Sequence, residues 1–338
     1  MCKFVPMTVR DNCSLADRNT FGMDVRADSL IDWASTEELK NALQDIGKPI
    51  LMIGGGSNLL FMGDFKGTVL HSTITSIDII GSTDDHVHVK VGAGVVWDDF
   101  VAWCSIHGFW GVENLSAIPG EVGASAVQNI GAYGVEAKDV IDTVQTICLA
   151  DGSVRDFSNT ECRYAYRQSI FKNELKGQYA VAYVIFSLSK VPQPKLGYGA
   201  LEQEVERLGG PTLANIRQAV ISIRESKLPD PKILGNAGSF FMNPVISEAE
   251  FEAIKGNYPD IPSYPAPGGI KVPAGWLIEK TGWKGRSLGP AAVYDKQALV
   301  LVNKGGATGA DIKRLADTII ADVKQKFGIT LSTEVNYI

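Results

Sequence analysis

Hydrophobic positions switch between helical and strand periods along this chain, and the switches outline its elements. Ser35-Thr36-Glu37-Glu38 pairs a serine with a glutamate three residues on, which predicts a capped helix running to Gly47, followed by a buried strand at Pro49-Ile50-Leu51-Met52-Ile53. Short β-rich runs come next at 68–70, 77–80 and the alternating 87–91, then an apolar-periodic helix over 96–107. Strands return at 144–150 and 154–157, joined through Asp151-Gly152 as a two-residue hairpin, and at 179–188. Thr212 caps a long helix to Lys227, and Ser247-x-x-Glu250 opens another. The tail reads as a strand over 298–302, a helix over 308–327 stopped by Gly328, and a closing strand over 329–337.

A chain of 338 residues exceeds what one hydrophobic core usually holds, so two or three α+β domains are expected. Pro192-Gln193-Pro194 and Gly209-Gly210-Pro211 interrupt the pattern, and the segments 1–70, 71–210 and 211–338 follow as the expected divisions.

Composition narrows the partners. A net charge of -6 and the lack of any Lys/Arg-rich run disfavour nucleic acid. The five cysteines, Cys2, Cys13, Cys104, Cys148 and Cys162, are odd in number and hold no C-x-x-C pair, which argues against a disulfide framework and a zinc site and fits reduced thiols in a cytosol. His86 and His88 share a strand face without a nearby acidic or cysteine triad and read as solvated, so no metal is assigned. The opening segment lacks the pattern of a secretory signal, and no apolar run is long enough to span a bilayer. A soluble cytoplasmic monomer is the expectation.

Ile53-Gly54-Gly55-Gly56-Ser57-Asn58 directly follows a predicted buried strand. Three glycines permit positive φ and close approach of a ligand, and their N–H groups with the Ser57 and Asn58 side chains suit phosphate oxygens. Leu59 stands where the Rossmann fingerprint has its third glycine, and no Gly-Lys-Ser/Thr of a P-loop is present, so a plain glycine-rich turn reads equally well from this motif alone. A second bare stretch, 114–134, contains Ile118, Pro119, Gly120, Gly123, Ala124, Ser125, Asn129, Gly131, Ala132, Tyr133 and Gly134. Two such loops suit a long ligand with a central diphosphate and a flat ring, which describes FAD better than a mononucleotide.

Six motifs in fixed order carry a resemblance: Asn19-Thr20-Phe21-Gly22, Gly54-Gly55-Gly56-Ser57-Asn58, Ile118-Pro119-Gly120, the run from Gln128 to Gly134, Tyr166-Arg167-x-Ser169-x-Phe171, and Gly238-Ser239-Phe240-Phe241-x-Asn243-Pro244, with Glu334 near the end. Together they resemble the UDP-N-acetylenolpyruvoylglucosamine reductase (MurB) family over nearly the whole chain. The resemblance implies an α+β, two-subdomain FAD-binding fold of the vanillyl-alcohol-oxidase (PCMH) type, plus a C-terminal α+β substrate-binding domain. It implies non-covalent FAD, reduction by NADPH, and reduction of the enolpyruvyl ether of UDP-N-acetylglucosamine to UDP-N-acetylmuramate, a cytosolic peptidoglycan precursor.

The same resemblance implies site roles. Hydride delivered to C3 of the enolpyruvyl group leaves negative charge spread from C2 into the carboxylate. Arg167 matches the family position that clamps that carboxylate, and Glu334, when protonated, donates a hydrogen bond to the same oxygens. Ser239 matches the proton donor to C2. Lys232 and Asn243 match positions that hold the uridine diphosphate, and Tyr198, between glycines, resembles the tyrosine of a loop near 190–200 that folds over substrate in one subtype. Asn336 departs from the family, where arginine is common. A same-fold flavin oxidoreductase of a small alcohol or sugar lacks the Ser239 and Glu334 ends, and a non-catalytic nucleotide-sugar binder lacks a flavin.

Overall fold

Ser35 caps its helix as the spacing predicts: its hydroxyl accepts from Glu38 N at 3.2 Å, and the Glu38 carboxylate accepts from Ala34 N at 2.7 Å. In the computed structural model, which describes residues 7–338, that helix is Thr36–Ala42 and stops short of Gly47. Its last turn tightens, with Leu43 N bonded to both the Leu39 and Lys40 carbonyls, and Ile46 folds into the core beyond it. Cys2 lies outside the described residues; Cys104, Cys148 and Cys162 are free thiols.

The chain divides into two compact units, one of residues 1–13, 27–55 and 65–226, the other of 14–26, 56–64 and 227–338. The expected divisions at 70 and 210 do not coincide with them. Pattern along the chain marks elements but not their distant partners. Helix Leu213–Lys227 packs Leu213, Ile216, Ala219 and Val220 against Trp110, Leu201 and Val205 of the first unit, which moves that boundary to 226.

Among the described residues the first unit holds two larger sheets and the short pair Gly131–Ala132 and Val135–Glu136. One orders Thr8–Ser14, Arg26–Trp33, Phe65–Ser72 and Ile50–Ile53, with the second and fourth parallel to the third. Its core gathers Trp33, Leu39, Ile46 and Leu70. The other is antiparallel, ordered Val154–Ser158, Ile141–Cys148, Tyr179–Ser189, His86–Gly92 and Ile77–Ser82. Alternate residues Val87, Val89 and Val91 face a core with Phe100 of helix Trp97–His107, leaving His86 exposed and His88 half-buried. The hairpin at Asp151-Gly152 closes from Cys148 N to Ser153 O at 2.8 Å, so its loop is longer than the two residues expected. Within the bare 114–134 stretch, Val122–Gln128 forms a helix rather than open loop. Gly123 is required there, because a Cβ would lie 2.8 Å from Ala93 Cβ.

The second unit has an antiparallel sheet ordered Gly235–Ser239, Val300–Asn303, Ala291–Val293 and Ser287–Leu288. Helix Gly309–Phe327 covers its core, with Thr308 and Asp311 forming a capping box and Gly328 in the left-handed region ending it. Phe21, Met23 and Leu60 join Phe240, Phe241, Leu277, Leu301 and Ile319 in one cluster. The closing strand expected over 329–337 shrinks to Asn336–Tyr337, parallel to Leu59–Leu60. Residues before it bond irregularly instead: Met242 N donates to Ser332 O and Glu334 N to Phe240 O, both at 2.9 Å.

Candidate active site

Strand Ile50–Ile53 leads the chain into the glycine turn, and the turn lies against the second glycine loop within the first unit. A Cβ on Gly55 would stand 3.1 Å from Gly120 Cα, and one on Gly54 would stand 3.3 Å from Ala124 Cβ. Gly54, Gly55, Pro119 and Gly120 thus present mostly backbone, all of them partly or fully exposed. In the second unit, Gly56 has φ +64°, and a Cβ there would meet Arg18 O at 1.9 Å. The Asn19-Thr20-Phe21-Gly22 motif holds that contact: Asn19 makes three bonds of 2.8–3.0 Å to Leu15 and Met23, while Phe21 sits edge-on to Phe240.

Asn129 is fully buried and left-handed (φ 47°), donating to Glu136 at 3.0 Å and Ala165 O at 2.9 Å while accepting from Lys138 N. Ser125, also buried, spends its hydroxyl on Val122 O at 2.7 Å. Both side chains therefore hold the loop together instead of facing outward. Ser169 donates to Val127 O at 2.6 Å and Phe171 packs edge-on to Phe157, so the Tyr166 to Phe171 motif is fastened to the same loop.

That fastening positions Arg167. Its guanidinium donates to Gly131 O at 2.6 Å and Asn129 O at 3.4 Å, and lies over the Tyr166 ring. A Cβ on Gly131 would come within 2.8 Å of Arg167 Nη1, so glycine is what lets the guanidinium lie there. Ala117, Asn129, Tyr133 and Arg167 all have φ between 46° and 57°, an uncommon conformation for residues with a Cβ. The exposed Tyr198 ring stands edge-on to Tyr133, centroids 6.0 Å apart.

In the second unit, Gly238 (φ +66°) sits in a register irregularity between Asn236 and Ser239, a bulge that re-aims the half-buried Ser239. The next residue, Phe240, accepts from Glu334 N, and Asn58 Nδ2 donates to Glu334 O at 3.1 Å. Asn336 donates through its backbone and side chain to Asn58 O at 3.1 and 3.3 Å. Ser57, Asn58, Ser239 and Glu334 so belong to one neighbourhood. Asn243 Oδ1 accepts from Ala274 N at 2.9 Å, and Lys232 is exposed on a turn closed by Asp230.

Residues 230–338 match the C-terminal domain of UDP-N-acetylenolpyruvoylglucosamine reductase, and 27–158 match an FAD binding domain. A UDP-N-acetylenolpyruvoylglucosamine reductase of Bacteroides fragilis is 53% identical over 328 residues, 96% of this chain and 98% of its own length. The chain belongs to the UDP-N-acetylenolpyruvoylglucosamine reductase family. A member from Porphyromonas gingivalis is 50% identical over 338 residues, covering 98% of this chain and all of its own (100%). The Thermus caldophilus reductase shares the fold, with a TM-score of 0.70 at 24% identity over 98% of this chain and 99% of its own. So does 6-hydroxy-D-nicotine oxidase from Arthrobacter nicotinovorans, with a TM-score of 0.50 at 17% identity over 96% and 86%.

The residues present fit the FAD expected of a reductase of this family. Bare backbone lines the two abutting glycine loops, and Asn114 Oδ1 and Gln128 Oε1, both in the second glycine stretch, are buried without a hydrogen-bond partner among the described residues. Orphaned buried acceptors of that kind call for a ligand or water. One charged group escaped the sequence reading. Arg224, on helix Leu213–Lys227, donates to Ala117 O at 3.2 Å. Burial holds its guanidinium below the ordinary arginine range, and the Arg167 charge adds to that. Its signal was the seven-residue spacing from Arg217, which pairs with Asp98 at 2.6 and 2.8 Å from the same helix.

Proposed function

We propose that the chain reduces the enolpyruvyl ether of UDP-N-acetylglucosamine to UDP-N-acetylmuramate in the cytoplasm, with NADPH as reductant. The observation that carries this reading is a family match extending through 230–338, the segment holding Lys232, Ser239, Asn243 and Glu334, which a flavin oxidase of similar fold would not need to share. Residues 53–58, 118–120, 123–125, 129 and 131–134 are the proposed holders of FAD. When bound, FAD supplies the hydride transfer from NADPH to the enolpyruvyl double bond.

Arg167 is already fastened to two loop carbonyls, which leaves a permanently charged fork oriented at little entropic cost to clamp the substrate carboxylate. Ser239 Oγ delivers the proton to C2. A hydroxyl is a weak acid, but the carbanionic form of the substrate is a strong base, so the transfer is downhill. Glu334 is fixed through its backbone at both ends, N–H to Phe240 and carbonyl to Asn58, and its protonated carboxyl donates to the substrate carboxylate. Lys232 and the amide of Asn243 hold the diphosphate, with Tyr198 closing over it.

Anaerobic mixing of the NADPH-reduced protein with UDP-N-acetylglucosamine enolpyruvate tests the proposal through flavin reoxidation. Lack of reoxidation at millimolar substrate would sink it.

A further inference from the structure

A row of charged side chains crosses the four-stranded sheet of the first unit and ends under the glycine turn. Asp32 and His71 are register partners on neighbouring strands, and His71 is in turn the register partner of Ile53, the residue before Gly54. His71 Nδ1 lies 2.7 Å from Asp32 Oδ1, and Nε2 lies 3.0 Å from Glu121 Oε1. Arg10, on the edge strand, bonds the other Asp32 oxygen. At the far end, Glu121 Oε2 stands 3.1 Å from where a Gly54 Cβ would be. The His71, Asp32 and Glu121 side chains are 9%, 14% and 13% exposed.

Both nitrogens of the ring face carboxylate oxygens. An ionised carboxylate only accepts, so both ring nitrogens must donate, and the arrangement calls for the imidazolium. Two cations and two anions then alternate as Arg10, Asp32, His71 and Glu121, and the row is neutral. The residues string out in line instead of converging, and among the described residues no group of three His, Cys, Asp or Glu is disposed to hold a metal. Glu121 is otherwise a poor neighbour for a phosphate-binding turn, since a bare carboxylate beside Gly54 repels a diphosphate through a poorly screened, low-dielectric path.

We propose that His71 is a positioning residue for the cofactor diphosphate: as imidazolium it neutralises and fixes Glu121 beneath Gly54, and FAD affinity falls when the ring loses its second proton. The inference rests on the reading that the chain binds FAD at this turn. Among the described residues, the carboxylates hydrogen-bonded to the ring are Asp32, backed by Arg10, on one side and Glu121 at the start of helix Val122–Gln128 on the other. Deprotonation leaves two carboxylates with one ring proton between them, and the row carries a net negative charge toward the turn.

The test is FAD titration of the full-length apoprotein by flavin fluorescence quenching, from about pH 5.5 to about pH 9, where a histidine titrates. The wild-type Kd should rise about tenfold or more across that range, the change expected from at least one unit of coupling. His71→Asn should bind as weakly as the wild type does at high pH, without the histidine step. Glu121→Gln should bind tightly at every pH, because no carboxylate remains to repel the diphosphate. Histidine ring NMR of the apoprotein adds a readout that cofactor loss does not move, and it should show His71 doubly protonated at neutral pH. A flat wild-type profile, a neutral His71 ring, or a pH step that survives in Glu121→Gln overturns the proposal. Should His71→Asn fail to fold, the comparison of wild type with Glu121→Gln decides. A protein that binds no FAD at any pH overturns this proposal and the flavin reading together, whereas pH-independent FAD binding overturns this proposal alone.

Discussion

The side-chain amide of Asn58 donates to the main-chain carbonyl of Glu334 at 3.1 Å, across 276 residues of sequence. Asn336 answers with two bonds to the Asn58 carbonyl, so a turn expected to serve the cofactor and a carboxylate expected to serve the substrate share one clasp. Asn58→Ala should therefore lower stability by about 1 to 2 kcal/mol, the cost of one lost bond and its orphaned partner. It should also lower kcat/KM by about tenfold through a displaced Glu334. Chemical denaturation and steady-state kinetics on one preparation check both.

Gly131→Ala places a methyl 2.8 Å from Arg167 Nη1. The guanidinium has to leave the Asn129 and Gly131 carbonyls. The expected result is a tenfold or greater loss of kcat/KM for the enolpyruvyl substrate that exceeds any change in FAD affinity or in reduction by NADPH, since a clamp displaced by about 1 Å can lose up to about a hundredfold. Equal loss in both half-reactions would contradict the role given to Arg167.

Ser239→Ala should leave NADPH oxidation on the first turnover intact and slow reoxidation by substrate by several orders of magnitude, because no other proton is delivered at C2. Anaerobic stopped-flow of each half-reaction separates the two. Comparable slowing of both would show that Ser239 holds structure and nothing more.

Asp98 accepts from Arg217 and from Ala117 N at 2.6 Å. Burial alone raises its carboxyl, but the Arg217 bond and charge and the Ala117 bond outweigh it and hold Asp98 below the ordinary carboxylate range. A depressed folded-state value means stability that is present above the unfolded carboxylate pKa, near 4, and lost as pH falls through the lower folded value. Asp98→Asn should cost about 2 kcal/mol at neutral pH. The difference from wild type should shrink in acid, as thermal melts across pH would show.

Local features were the legible ones. The caps at Ser35 and Ser247, the stop at Gly328 and the strand at Ile50–Ile53 depend on neighbours a few residues away, so their spacing reveals them. The closing segment misled because its alternation suits a strand, whereas its hydrogen bonds go to the irregular run after Ser239 and leave Asn336–Tyr337 alone in regular pairing. Helix Val122–Gln128 hid among small residues chosen for packing against Ala93, a contact no pattern in the chain announces. At the site, motif order pointed to Arg167 and Ser239 as candidates, while the side chains of Asn129 and Ser125, expected at the cofactor, are turned inward. Arg224 and His71 went unnoticed because each acts through residues far away in sequence.

The second unit draws Phe21, Met23 and Leu60 into a core whose other buried members run from Ala237 onward. During synthesis these apolar side chains emerge well before Phe240 and Leu315 exist, and at roughly 5–20 residues per second the wait is on the order of ten seconds or more. The first unit can gather most of its sheets meanwhile, but the second cannot close until the last helix is out. The nascent chain therefore passes through a stage with sticky segments waiting for partners, which makes shielding by chaperones and a low growth temperature the conditions under which this protein should be produced in the highest yield.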